Sequence, residues 1–183
     1  MLFKNLLLAS SLALSAAASS YNSTSAAAAI QQRFHELDLG YKYTTTLIGH
    51  VAAKTESVTA DDVVSTYNQT AHAEDNNLNM KQPTAAFPDA IQLVLCETFH
   101  TLTLNGIELN NAFTDNADLF NKDQRNTLQE AFTKVNDETG SFFIHVAKVA
   151  LPECLASLKA DISGVYKSLS MVVRALDPAD TSS

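Results

Sequence analysis

Residues 152–176 read Pro152-Glu153-Cys154-Leu155-Ala156-Ser157-Leu158-Lys159-Ala160-Asp161-Ile162-Ser163-Gly164-Val165-Tyr166-Lys167-Ser168-Leu169-Ser170-Met171-Val172-Val173-Arg174-Ala175-Leu176. Leu155, Leu158, Ile162, Val165, Leu169, Val172 and Leu176 recur at steps of three and four, which puts them on one face of a helix. Pro152 suits the start of that helix and Asp177-Pro178 stops it. This is the cleanest stripe in the chain. A helix with one apolar face must bury it against other elements, so the segment predicts a helical bundle.

Working toward the N-terminus, Leu128, Phe132, Val135, Phe142, Phe143, Val146 and Val149 predict a helix over about 122–150, with Gly140 as a kink point. Only Leu151-Pro152 separates it from the last helix, so the two form an antiparallel hairpin or a kinked pair. A third helix opens at Phe87-Pro88 with a stripe of Ile91, Val94, Leu95, Phe99 and Leu102, which Leu93 and Leu104 widen, as in a helix near the bundle centre. Residues Leu102 to Leu109 alternate about Asn105-Gly106, a hairpin signal. No other strand is available to pair, and an isolated hairpin is marginal in water. A helix bent or ended at Gly106 is the favoured reading, with the hairpin as the alternative. A second helix begins near Thr59, with Asp61 and Asp62 in the first turn and Val63, Val64 and Tyr67 on its apolar side. It loses its pattern over 72–77, and Pro83 ends it. The first covers about 28–54 through Ile30, Phe34, Leu37, Tyr41, Ile48 and Val51, with Gly40 and Thr44-Thr45-Thr46 weakening its middle. The expected fold is all-α: a bundle of about five helices over 30–176, a flexible leader over 19–29 and a disordered tail over 177–183.

Residues 1–18 read as a secretory signal peptide. Lys4 supplies the positive start, the apolar run from Leu6 to Leu14 is too short to span a bilayer, and Ala16-Ala17-Ala18 offers small residues for cleavage. Removal leaves 165 of the 183 residues, enough for one domain with a real core. It takes Lys4 alone among the charged side chains, so the formal charge becomes −9. An acidic surface without a Lys/Arg cluster repels nucleic acid and anionic headgroups, and its simplest role is solubility. The mature chain is expected to have no transmembrane segment and no apolar tail of the kind a GPI anchor needs. The expected location is extracellular or in a cell wall.

The chain has two cysteines, Cys96 and Cys154. In an oxidising compartment a lone pair usually joins; a free thiol or an intermolecular bridge is the alternative. Asn22-Ser23-Thr24 and Asn68-Gln69-Thr70 fit the N-glycosylation pattern, so Asn22 and Asn68 are expected to be exposed.

No catalytic or metal signature emerges, and no cofactor is implied. His35, His50, His72, His100 and His145 form no His-x-x-x-His. Cys96 and His100 share a helix face, but a bridged cysteine is not a nucleophile. His72-Ala73-Glu74 matches one part of the zinc-deaminase pattern, while Pro152-Glu153-Cys154 lacks the second nearby cysteine. The oxygen-rich stretch Asp115 to Asp123 lacks the spacing and central Gly of a calcium loop and reads as a helix-capping linker. Five glycines leave little room for phosphate loops, and no Gly-x-Ser-x-Gly is present. What remains is apolar. Phe99, Leu102, Phe132, Phe142, Val146, Leu158, Ile162, Val165 and Leu169 mark a slot between the third, fourth and fifth helices for a fatty acid or other apolar ligand. Periodicity does not separate such a slot from a closed core.

Leu119-Phe120-Asn121-Lys122-Asp123-Gln124 running into Leu128-Gln129-Glu130-Ala131-Phe132, followed by Leu155-Ala156-Ser157-Leu158-Lys159-Ala160-Asp161-Ile162, resembles the fungal hydrophobic surface-binding protein A and cell-wall galactomannoprotein family. The resemblance covers residues 30–176 in layout and about 120–176 in local pattern. It implies a secreted, wall-associated, non-enzymatic bundle that binds hydrophobic surfaces or holds a fatty acyl chain between helices. The alternative is a secreted helical inhibitor of a carbohydrate-active enzyme, similar to the invertase and pectin methylesterase inhibitors. Those carry an extra N-terminal cysteine hairpin that this chain lacks.

Overall fold

The computed structural model describes residues 21–55, 57–75 and 83–177. The expected signal peptide at 1–18 and the tail from 178 onward lie outside the described residues. Among the described residues the fold is all-α, without a strand. Its five α-helices are α1 (Tyr21–Ala52), α2 (Ala60–Asp75), α3 (Asp89–Asp115), α4 (Lys122–His145) and α5 (Leu155–Ala175).

α1 begins at Tyr21, so residues 21–29 belong to the helix and not to a leader. The alanine run 26–29 favours helix, and Ala27 is buried in the core. The helix also passes unbroken through the segment expected to weaken it. The hydroxyls of Thr44, Thr45 and Thr46 each donate to the carbonyl four residues back, at 2.8, 3.0 and 2.9 Å, and so are satisfied within the helix. Gly40 lets α2 come close: a Cβ there would lie 2.8 Å from the Thr70 side chain.

α2 starts with a reciprocal cap. Thr59 donates from its backbone N (2.8 Å) and its Oγ1 (2.7 Å) to Asp62 Oδ2, and the Asp62 N–H returns to Thr59 Oγ1. Asn121 and Gln124 form a similar box at the head of α4, so the oxygen-rich stretch ends in a helix cap. α3 begins at Asp89, with Pro88 at the N-cap position one residue before its expected place. It runs straight through Gly106 to Asp115, neither bent into a hairpin nor ended. The reason is tertiary: Asn105 Nδ2 donates to Asp38 Oδ1 on α1, and Gly106 is buried where the ring of Tyr41 lies against its backbone.

α4 stays α-helical through Gly140 but not to residue 150. Val146–Ala150 form a π-helical stretch whose residues Val146, Ala147 and Ala150 are buried. Pro152–Cys154 make a 3₁₀ turn, so α5 begins at Leu155 and not at Pro152. Gln129 Nε2 near the start of α4 donates to the Val173 carbonyl near the end of α5, at 3.4 Å, which fixes the pair as an antiparallel hairpin. Cys96 and Cys154 are joined, with their Cα atoms 6.3 Å apart, within the usual disulfide range. The bond pins α3 to the head of α5.

In space the order is α5, α3, α1, α2, α4, and α4 meets α5 over a shorter stretch. The core divides in two. One cluster centres on Phe34, Leu95, Phe99, Val146 and Leu151. The other centres on Tyr67, Phe113, Leu128, Phe132 and Val172, where Tyr67 stacks on Phe132 at 4.3 Å. Tyr41 packs against both. The expectation that Leu93 and Leu104 widen the buried stripe fails: they are 68% and 51% exposed. α3 is nonetheless central, because its buried face alone packs against both α1 and α5.

Candidate functional site

Between the two core clusters lies an apolar cavity of about 70 Å³, bounded by all five helices. Tyr41 closes it from α1 and Tyr67 from α2. α3 supplies Phe99, Leu102 and Leu109 with the backbone of Gly106. α4 supplies Val135 and Phe143, and α5 supplies Ile162, Val165, Tyr166 and Leu169. The contributions of α4 and of Ile162, Val165 and Tyr166 are half-buried, whereas Phe99, Leu102 and Leu109 are fully buried. Tyr41 of α1 is half-buried too, so the cavity is not sealed from solvent.

Five of the nine residues expected from the sequence line this cavity: Phe99, Leu102, Ile162, Val165 and Leu169. Phe132, Val146 and Leu158 do not. Phe132 is buried in the second cluster between Tyr67 and Phe113, and Val146 and Leu158 are in the first cluster. The Phe142 side chain lies outside the described residues. Sequence reasoning missed Tyr41 and Tyr67, because helices one and two were not assigned to the slot. It also missed Thr103 and Asn110, which line the wall as polar residues on an otherwise apolar face. A signal existed for Thr103, four residues after Phe99; Asn110 lies beyond Gly106, where the helix was expected to bend or end, and fell outside the predicted stripe.

The polar groups of the wall are tied to the helices. Thr103 Oγ1 donates to the His100 carbonyl at 2.8 Å, and Asn110 Nδ2 donates to Ser168 Oγ at 2.8 Å, joining α3 to α5. No Lys, Arg or His lies among the described lining residues. A second depression between α1 and α2, near Leu39 and Tyr43, is wider at about 410 Å³ but more open, and Arg33, Glu36 and Gln69 contribute to its lining. Hydrogen bonds from Gln32 and Arg33 hold the Glu36 carboxyl below its ordinary range there.

Two of the histidines make tertiary contacts. His100 Nδ1 lies 2.9 Å from Asp161 Oδ2, a further link between α3 and α5, and His145 Nε2 lies 2.9 Å from the Pro83 carbonyl. Among the described residues no cluster of three His, Cys, Asp or Glu side chains is placed to hold a metal. No described helix is long and apolar enough to cross a membrane. Asn68 is half-buried on α2, not exposed as expected for an acceptor, and the Thr70 of its triplet is buried against Gly40. The Asn22 side chain lies outside the described residues. Neither a protein-family model, nor a curated protein, nor a solved structure matches this chain.

Proposed function

We propose that this protein is a secreted, non-enzymatic carrier or coat protein that binds an apolar chain or hydrophobic surface through the cavity between its core clusters, in the extracellular space or a cell wall. The observation that carries the proposal is the position of that cavity: it lies between the two core clusters, is walled mainly by apolar side chains, and has half-buried residues of α1, α4 and α5 in its wall. The Cys96–Cys154 bond is in keeping with an oxidising compartment. The resemblance to the hydrophobic surface-binding proteins points the same way, and the slot is now assigned to the cavity residues and no longer to Phe132, Val146 and Leu158.

Each buried methylene is worth about 0.8 kcal/mol, so a ten-carbon chain lodged in the cavity would contribute about 8 kcal/mol before ordering costs. The test is displacement of a fluorescent acyl probe by straight-chain alcohols from hexanol to hexadecanol. Affinity should rise steadily with length. Val165→Phe, which adds four carbons to the cavity wall, should weaken binding while thermal melts show a folded domain; Ile162→Phe serves if the first variant melts early. Absence of saturable binding, together with tight inhibition of invertase or pectin methylesterase, would replace this reading with the inhibitor.

A further inference from the structure

The cavity wall carries a buried hydrogen-bond acceptor with no partner among the described residues. Asn110 is only 4% exposed. Ser168 Oγ donates its one proton to the Val165 carbonyl at 2.9 Å. It can therefore only accept from Asn110, whose Nδ2 stands 2.8 Å away. This fixes which way round the Asn110 amide sits and leaves Oδ1 on its other side. Among the described residues no donor lies within hydrogen-bond distance of that oxygen. Buried amide oxygens are ordinarily paired, and an orphan on a cavity wall is a binding group awaiting a donor.

Thr103, two helical turns before Asn110 on α3, also presents an acceptor, because its proton goes to the His100 carbonyl. With no described cation in the lining, a carboxylate placed there would face acceptors without a counter-charge. Resting on the proposed apolar-ligand reading, we infer that the cavity selects a neutral ligand whose apolar body carries a hydroxyl, and that this hydroxyl donates to Asn110 Oδ1. The ligand class is the long-chain or cyclic alcohol and not the ionised fatty acid. Asn110 is thus the specificity-determining residue, and the Asn110–Ser168 bond holds its amide in the receptive orientation.

The test compares decanol with its isomer nonyl methyl ether, which has the same atoms and an acceptor oxygen but no donor, and with decanoate. On the wild-type chain, decanol should bind roughly fivefold to tenfold more tightly than the ether, the worth of one net hydrogen bond, and decanoate should bind more weakly than decanol. In Asn110→Leu the preference for decanol over the ether should vanish while the ether keeps its affinity. If that variant melts early, the Asn110 side-chain amide resonance of the wild type takes its place: it should shift with decanol and not with the ether. Equal binding of decanol and the ether by the wild type, as when an ordered water already satisfies Asn110, overturns the inference and leaves the apolar-ligand reading standing. So does an alcohol preference that survives Asn110→Leu. Failure of all three compounds to bind sinks the apolar-ligand reading itself.

Discussion

Replacing both Cys96 and Cys154 by alanine should lower stability by about 4 kcal/mol without changing the fold. The bridge joins positions separated by 58 residues, a loop that holds most of α3, all of α4 and the π-helical stretch. In the chain-entropy treatment a loop of that size removes about 14 cal/mol/K from the unfolded ensemble, or about 4 kcal/mol at room temperature. For a domain of this size each kcal/mol moves the melting point by about 2–4 °C, so the fall should be about 8–16 °C. Helix content should persist, because α3 and α5 remain joined by the Asn110–Ser168 and His100–Asp161 contacts and by Ile107 packed on Gly164. Both cysteines must change together, since one alone leaves a thiol able to cross-link two chains. The assay is a thermal melt followed by far-UV circular dichroism, beside thiol titration of the denatured, unreduced wild type. Two free thiols in the wild type, or an unchanged melting point in the variant, would refute the reasoning.

Two further outcomes follow from the packing and the caps. Phe132→Ala removes a fully buried ring between Tyr67 and Phe113 and should cost about 3–5 kcal/mol, whereas Leu93→Ser, on the exposed side of α3, should stay within about 0.5 kcal/mol; paired denaturation curves check both, and a large loss at Leu93 would mean that α3 is buried all round. The Asp62 carboxyl is held below the ordinary aspartate range by the Thr59 hydroxyl and then the Thr59 N–H; because its folded value is depressed, its contribution is present above the ordinary aspartate range and fades as pH falls through the lowered value. Side-chain NMR titration should show Asp62 moving up toward the ordinary range in Thr59→Ala, which removes the hydroxyl and keeps the N–H, and an ordinary midpoint in the wild type would count against the cap.

The sequence by itself determined the class of fold. The stripe from Leu155 to Leu176 and its counterparts upstream carry a 3.6-residue period, and period follows from backbone geometry alone, so helix number and approximate extent were legible. The two cysteines pair as their number and the expected oxidising compartment implied. Local signals failed where a neighbour overruled them. Asn105-Gly106 is a turn pair in isolation, yet in the bundle Asn105 reaches Asp38 and Gly106 gives Tyr41 room, and the helix continues. Leu93 and Leu104 are as apolar as Leu95 and Leu102, and only the placement of α1 and α5 decided which pair is covered. The cavity was the least legible feature. Its existence depends on how far the side chains of five helices fall short of filling the gap between two clusters, a volume difference that no single helix encodes. Asn110 became a candidate binding residue only when tertiary packing buried it on the cavity wall and gave the donor half of its amide to Ser168.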